Sequence, residues 1–347
     1  MGTSTRPAPL PFLRHDDLAS CRDDFQHYRE KGFPVYSLNR DQKRQELLDL
    51  LVADHAALID KQGRIKQTMH ALPLAWHYHP CAWNIKCGNR KTPTELFRDD
   101  RLFMQAIERR TKLGNAFSES GLRKILRSFS STQSVSNFRP TAAAAVYHRL
   151  LPERGGVVWD MSAGFGGRLL GSFACDRVEK YIGTDPSTHA IDGLREMADE
   201  LVPMAEQLGR RTLEVELHKT GSEDFAPNRN SFDLCFTSPP YFGWEQYSHE
   251  PAQSHKRFPT QDSWLHGFIG ATLRNCAHGL KRNGILAINI ASVAAFPNLA
   301  NIFLRFAEEN GWRLIETLQL QLSKMVGLKH LGKGMFKTEP IFVFKKK

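Results

Sequence analysis

Phe232-Asp233-Leu234-Cys235-Phe236-Thr237-Ser238-Pro239-Pro240-Tyr241 decides how this chain is read. An apolar run of strand length stops at a polar pair followed by two prolines, the mark of a buried strand with a rigid mouth. Neither proline extends a hydrogen-bond ladder, because each ring removes an N–H and fixes φ. The chain therefore leaves the strand in one stiff conformation, with Ser238 and Tyr241 at its carboxyl end. Open α/β sheets bind their ligands there.

Working outward, strand-like and helix-like segments alternate from Gly155 onward. Val157-Val158-Trp159, Tyr181-Ile182-Gly183 and Leu213 to Leu217 precede the decisive run, and Ile285 to Ile290 follows it. Arg168 to Cys175, His189 to Leu208, Ser263 to Leu280 and Leu299 to Asn310 read as helices between or after them. This alternation predicts an α/β fold, a parallel sheet with helices on both faces. Arg313 to Leu322 and Pro340 to Phe344 close the chain with only a Gly- and Lys-rich loop between them. That predicts a hairpin, hence one antiparallel strand. Before Asn137 the pattern is helical: Arg40 to Ile65 with Leu47, Leu48, Leu51 and Leu58 on a stripe, Thr94 to Leu113, and Ser118 to Phe129 behind a Ser118/Ser120 cap. The expected division is a mainly helical domain over residues 1–136 and a sheet domain over 137–347.

Composition bounds the function. The chain has 347 residues, 41% hydrophobic, with a formal net charge of +10. That charge favours a polyanionic partner, although alone it gives only non-specific attraction. No run approaches the ~18 apolar residues of a membrane span. Met1 to Pro11 lacks the apolar core of a signal peptide and reads as a short flexible tail. The six cysteines follow no framework spacing, so reduced thiols and a cytoplasmic setting are expected. His77, His79, Cys81 and Cys87 do not match a zinc pattern, and Trp76, Tyr78 and Trp83 among them read as an aromatic core segment; no metal is expected.

Asp160-Met161-Ser162-Ala163-Gly164-Phe165-Gly166-Gly167-Arg168 follows the first strand and opens a helix. Glycines let the turn tighten and let a ligand lie against bare backbone, beside the unpaired N–H groups of a helix start. The second strand ends at Asp185, where an acid can accept both hydroxyls of a ribose. The dehydrogenase fingerprint Gly-x-Gly-x-x-Gly is not matched.

This layout resembles motifs I and II of the class I S-adenosylmethionine-dependent methyltransferases, and the element inventory resembles their Rossmann-like seven-stranded fold. Ser238-Pro239-Pro240-Tyr241 resembles motif IV of those members that methylate exocyclic amines of nucleobases. The resemblance implies S-adenosylmethionine as cofactor. Ala163, Gly164 and Gly166 would pass its methionine part, Asp160 would sit near its amino group, and Asp185 would hold its ribose. Ser222 and Glu223, after the third strand, stand where the family places its adenine contact, though serine replaces the commoner acid. Asn137-Phe138-Arg139-Pro140 resembles motif X, which closes over the methionine moiety.

The resemblance also implies a chemistry. An exocyclic amine is a poor nucleophile because its lone pair is delocalised into the ring. Hydrogen bonds to Ser238 Oγ and the Pro239 carbonyl would localise that pair, and Tyr241 would stack on the flipped base. Serine in motif IV is typical of N4-cytosine enzymes, yet many of those carry motif IV before motif I, and here motif I comes first. The expectation is therefore a DNA methyltransferase, acting on cytosine N4 first and adenine N6 second, of the kind used in restriction-modification. RNA or protein-amide methylation, or a silent nucleic-acid-binding protein of the same fold, are the rivals. Trp244, Tyr247, Lys256 and Arg257, in the loop after the motif, suit a nucleic-acid strand; a plain solvated loop fits equally well. Lys324, Lys329, His330, Lys333 and Lys337 could add phosphate contacts or be ordinary surface.

Overall fold

The computed structural model describes residues 15–66, 68–113, 118–129, 131–243, 245–322 and 337–347. Trp244, Lys324, Lys329, His330, Lys333 and the Met1 to Pro11 tail lie outside the described residues. The chain divides into two compact units. One comprises the described residues before Tyr36 together with Cys81–Val135; the other comprises Tyr36–Pro80 and Ser136–Lys347.

The first unit is helical, with helices at His15–Lys31, Pro93–Arg98, Asp100–Lys112 and Glu119–Ser128. The single helix expected over Thr94 to Leu113 is two. Asp99 interrupts it with extended backbone, and its carboxylate accepts the Leu102 N–H at 3.0 Å to cap the second helix. Ser118 caps the last helix as its sequence predicts, accepting from Gly121 N–H at 3.2 Å. Phe97, Phe103, Ile107, Leu122 and Leu126 form the core of this unit.

The second unit is built on one eight-stranded sheet. Its strands are β1 (Arg64–Ile65), β2 (Gly156–Asp160), β3 (Val178–Thr184), β4 (Glu214–His218), β5 (Phe232–Thr237), β6 (Leu280–Asn289), β7 (Trp312–Gln321) and β8 (Thr338–Lys346). Their order is β4-β3-β2-β5-β6-β8-β7-β1. β8 runs antiparallel to β6 and β7, and every other pairing is parallel. The fold is thus a Rossmann-like doubly wound sheet closed by the expected hairpin.

An eighth strand joins the seven expected ones. The helix read over Arg40 to Ile65 ends at Leu51, with Leu47 and Leu50 on its buried face. Asp60 then reverses the chain, its Oδ1 accepting the Gln62 and Arg64 N–H groups at 2.9 Å, and Gly63 takes φ +73°. β1 emerges from this turn and pairs with β7, Arg64 opposite Gln319 and Ile65 opposite Leu320. So Tyr36–Pro80, counted with the helical domain by sequence, packs with the sheet.

Residues alternate across the sheet to fill two cores. Val158, Leu234 and Phe236 meet Leu169, Leu194 and Met197 on one face, while Trp159 and Cys235 meet Trp264, Phe268 and Phe303 on the other. The helix expected over Ser263 to Leu280 contains a π-helical segment, Trp264–Ile269, before Gly270–Gly279. β2 and β5 are neighbours, yet the chain continues from them to opposite edges of the sheet. That switch point opens a crevice at their carboxyl ends. Among the described residues, no helix is long and apolar enough to cross a membrane.

Candidate active site

Two loops leave the switch point, one after Asp160 and one after Thr237. In the first, Gly164 and Gly166 take φ +57° and +75°. A Cβ on Gly166 would lie 2.5 Å from Met197 Cε, and one on Gly167 would lie 1.9 Å from the Phe138 carbonyl oxygen. Those glycines serve packing. Gly164 differs: its Cβ would meet only the Ser162 carbonyl, at 3.7 Å, so bare backbone there borders open space. Asn137 Nδ2 donates to the Phe165 carbonyl at 2.9 Å, and the Ala163 N–H donates to Thr184 O at 3.0 Å. Arg139 precedes, and Pro140 begins, the helix Pro140–Leu150, so the expected motif X residues stand directly behind the turn. Gly164→Ala should cost only about 1–2 kcal/mol of stability, from the left-handed backbone, while the added methyl obstructs the cradle. Thermal unfolding and ligand titration on the same variant check this split.

Asp185 faces the same turn. Its Oδ2 accepts the Gly164 N–H at 3.0 Å and its Oδ1 the Ser187 N–H at 2.9 Å. Burial pushes its carboxyl up to about 6. If the carboxylate is the form that holds ribose hydroxyls, affinity is complete above that value and lost as pH falls through it. A calorimetric pH series should show cofactor affinity dropping by up to about tenfold per unit on the acid side.

Asp160 is fully buried beneath the crevice. Its Oδ2 accepts from Arg168 Nε at 2.8 Å and the Tyr181 hydroxyl at 2.6 Å. Its Oδ1 accepts from Thr237 Oγ1 at 3.0 Å and Ser162 N–H at 3.3 Å. Arg168 also donates to the Ser162 carbonyl. One carboxylate thus ties β2, β3, β5 and the glycine turn together, and its oxygens are taken up by the chain itself.

The adenine-side residues separate. Ser222 is buried, with its Oγ 2.7 Å from Thr272 Oγ1, so its hydroxyl belongs to the core. Glu223 receives Arg257 Nη1 at 2.7 Å on one oxygen, and its Oε2 is buried with no hydrogen-bond partner among the described residues. Such an orphaned acceptor is costly unless a donor arrives.

In the second loop, Pro239 is buried while Ser238, Pro240 and Tyr241 line the mouth of β5 half-buried. The Tyr241 hydroxyl donates to Glu339 Oε2 on β8 at 3.3 Å, and the neighbouring Ser238 side chain favours the charged form of the phenol. Burial, then Glu339 and Glu245, push the Tyr241 phenol well above its ordinary range. Glu245 accepts the Tyr247 hydroxyl at 2.7 Å, and the nearby Tyr241 backbone favours its charged form. Sequence reasoning missed both glutamates.

The loop beyond folds back toward the crevice. Glu250 accepts the Thr188 N–H at 3.1 Å and the Thr188 hydroxyl. Arg257 is paired with Glu223 and Asp224, and Lys256 donates to the His249 carbonyl. Tyr247, Lys256 and Arg257 thus each make at least one polar contact within this unit. His79, in the segment weighed for metal, is buried with Nδ1 3.0 Å from the Ala75 carbonyl, and burial lowers it to about 4. His77 Nδ1 lies 3.2 Å from the Leu38 nitrogen. Among the described residues, no three His, Cys, Asp or Glu side chains converge as a metal site would require.

No protein-family model matches the chain. No curated protein matches it. Among solved structures, it is similar to a TehB-like SAM-dependent methyltransferase from Corynebacterium glutamicum, at 18% identity over 61% of this chain and 90% of that one, TM-score 0.37. It is similar to the tRNA (m1A58) methyltransferase TrmI from Aquifex aeolicus, at 11% identity over 61% and 71%, TM-score 0.38. A third is M. jannaschii TYW2 in complex with AdoMet, at 15% identity over 60% and 74%, TM-score 0.34.

Proposed function

We propose that this protein transfers a methyl group from S-adenosylmethionine to an exocyclic amine of a DNA base, cytosine N4 before adenine N6. The observation that carries the reading is the meeting of two loops at the switch point. A glycine cradle with its acid, Gly164 and Asp185, stands beside Ser238-Pro239-Pro240-Tyr241, and Asp160 bonds both the start of the first loop and Thr237.

The residues fit the cofactor. Gly164 offers open backbone, Asp185 keeps acceptor capacity at the rim for the ribose, and Glu223 Oε2, without a donor among the described residues, could accept from an adenine amine. When bound, S-adenosylmethionine supplies an electrophilic sulfonium methyl group. The protein then orients the amine. Ser238 Oγ and the Pro239 carbonyl accept its N–H groups, drawing the nitrogen toward tetrahedral geometry, while Tyr241 holds the base by stacking. Positioning of this kind is worth up to ~7–11 kcal/mol in favourable cases. The net charge of +10 supports a polyanionic substrate.

Transfer of labelled methyl to DNA, RNA or protein tests the choice. Counts in DNA support it, whereas counts confined to RNA or protein overturn the substrate. Calorimetry of cofactor binding, wild type against Asp185→Ala, tests the silent-protein rival. Two charge-assisted hydrogen bonds at about 1.5–3 kcal/mol each predict at least a hundredfold loss of affinity.

A further inference from the structure

Methylation of an amine leaves a proton to be removed, and Ser238 is a weak base. We propose that Glu339 takes this proton, passed to it through Ser238 and Tyr241 along one hydrogen-bond chain. The inference rests on the amine-methylation reading above and adds an acceptor that the motif does not contain.

Donor polarity carries it. The Tyr241 hydroxyl donates to Glu339 Oε2 at 3.3 Å, and the Ser238 side chain, at the same mouth, acts on that phenol as a donor would, favouring its charged form. An amine seated on Ser238 Oγ would continue the series, so that each donor points toward Glu339. The fold fixes the far end. Glu339 stands opposite Leu320 in the β7–β8 pairing, and the carbonyl of the next residue, Pro340, accepts from buried Asn289 Nδ2 at 3.0 Å. Glu245 stands beside the near end, where the Tyr241 backbone favours its charged form, and accepts the Tyr247 hydroxyl at 2.7 Å. The charged or titratable groups acting on Glu339 are Tyr241, Lys337 and this Glu245. Burial raises the Glu339 carboxyl, which makes it a stronger proton acceptor than an exposed carboxylate.

The step balances. As the amine nitrogen bonds the methyl carbon, the carbon–sulfur bond breaks and its electron pair stays on sulfur. The nitrogen's proton passes to Ser238 Oγ, the serine's own proton to the Tyr241 oxygen, and the tyrosine's proton to Glu339. A sulfonium and a carboxylate are replaced by a neutral thioether and a neutral acid. Glu339 is half-buried and returns the proton to solvent.

The test is single-turnover transfer of labelled methyl to unmethylated DNA from about pH 5 to 9. Saturating cofactor keeps the Asp185 titration out of the profile. Wild type should show an acid limb with its midpoint above the ordinary carboxylate range. Glu339→Gln should flatten that limb and lower the plateau about a hundredfold, and Tyr241→Phe should flatten it likewise while keeping the ring. Unchanged cofactor affinity shows that each variant is folded. Infrared titration of the cofactor-free protein should show a carboxyl band that titrates in the same range and is lost in Glu339→Gln. A wild-type limb and plateau in Glu339→Gln overturn the relay and leave the methylation reading intact. If wild type itself transfers no methyl to DNA, RNA or protein, both fall.

Discussion

Asp160→Ala is expected to remove about 3–5 kcal/mol of stability, the usual result of stripping one partner from a buried ion pair. Asp160 is 0% exposed and the Arg168 side chain 6%, so the guanidinium would be left charged, dry and unbalanced. The Tyr181 and Thr237 hydroxyls would lose their acceptor at the same time. Against a typical total of about 5–15 kcal/mol, that loss brings the chain close to unfolding at ordinary temperature. Urea denaturation measures it. Asp160→Ala with Arg168→Met should recover part of the loss, because the stranded charge is gone. If Asp160→Ala unfolds within about 1 kcal/mol of wild type, the carboxylate is not the hub described above.

Ser238→Ala should slow methyl transfer about 10²–10³-fold, the scale seen when one preorganised polar contact to a reacting group is deleted. Cofactor affinity should stay at the wild-type level, because Ser238 lies on the β5 loop and the cradle on the β2 loop. Single-turnover kinetics and calorimetry on one preparation separate the two effects. A rate within about threefold of wild type would remove Ser238 from the chemistry.

The parts of this molecule written locally could be read in advance. The stop at Pro239-Pro240 marked the end of β5, and the absence of a helix before Pro340 marked the hairpin. Asp185 after an apolar run marked the end of β3. What depends on tertiary pairing stayed hidden. β1 is two residues long, too short for a periodic signal, and exists because the Asp60 turn delivers it to the edge of β7. Glu339 lies far along the chain from Tyr241, and only the insertion of β8 between β6 and β7 brings it to the phenol. Ser222 and Glu223 are adjacent, so spacing could not show that one hydroxyl turns to Thr272 while the next carboxylate keeps an oxygen without a partner among the described residues. Arg257 pairs with Glu223 and Asp224, residues more than thirty positions upstream, a contact that no local spacing shows.

Amine methylation at the β5 mouth is the central claim, and nucleoside mass spectrometry tests it most directly. DNA would be incubated with the protein and isotope-labelled S-adenosylmethionine, digested, and its nucleosides resolved. The account predicts labelled N4-methyldeoxycytidine, with N6-methyldeoxyadenosine as the outcome that changes the base and keeps the chemistry. DNA with no labelled methyl on any exocyclic nitrogen would contradict it.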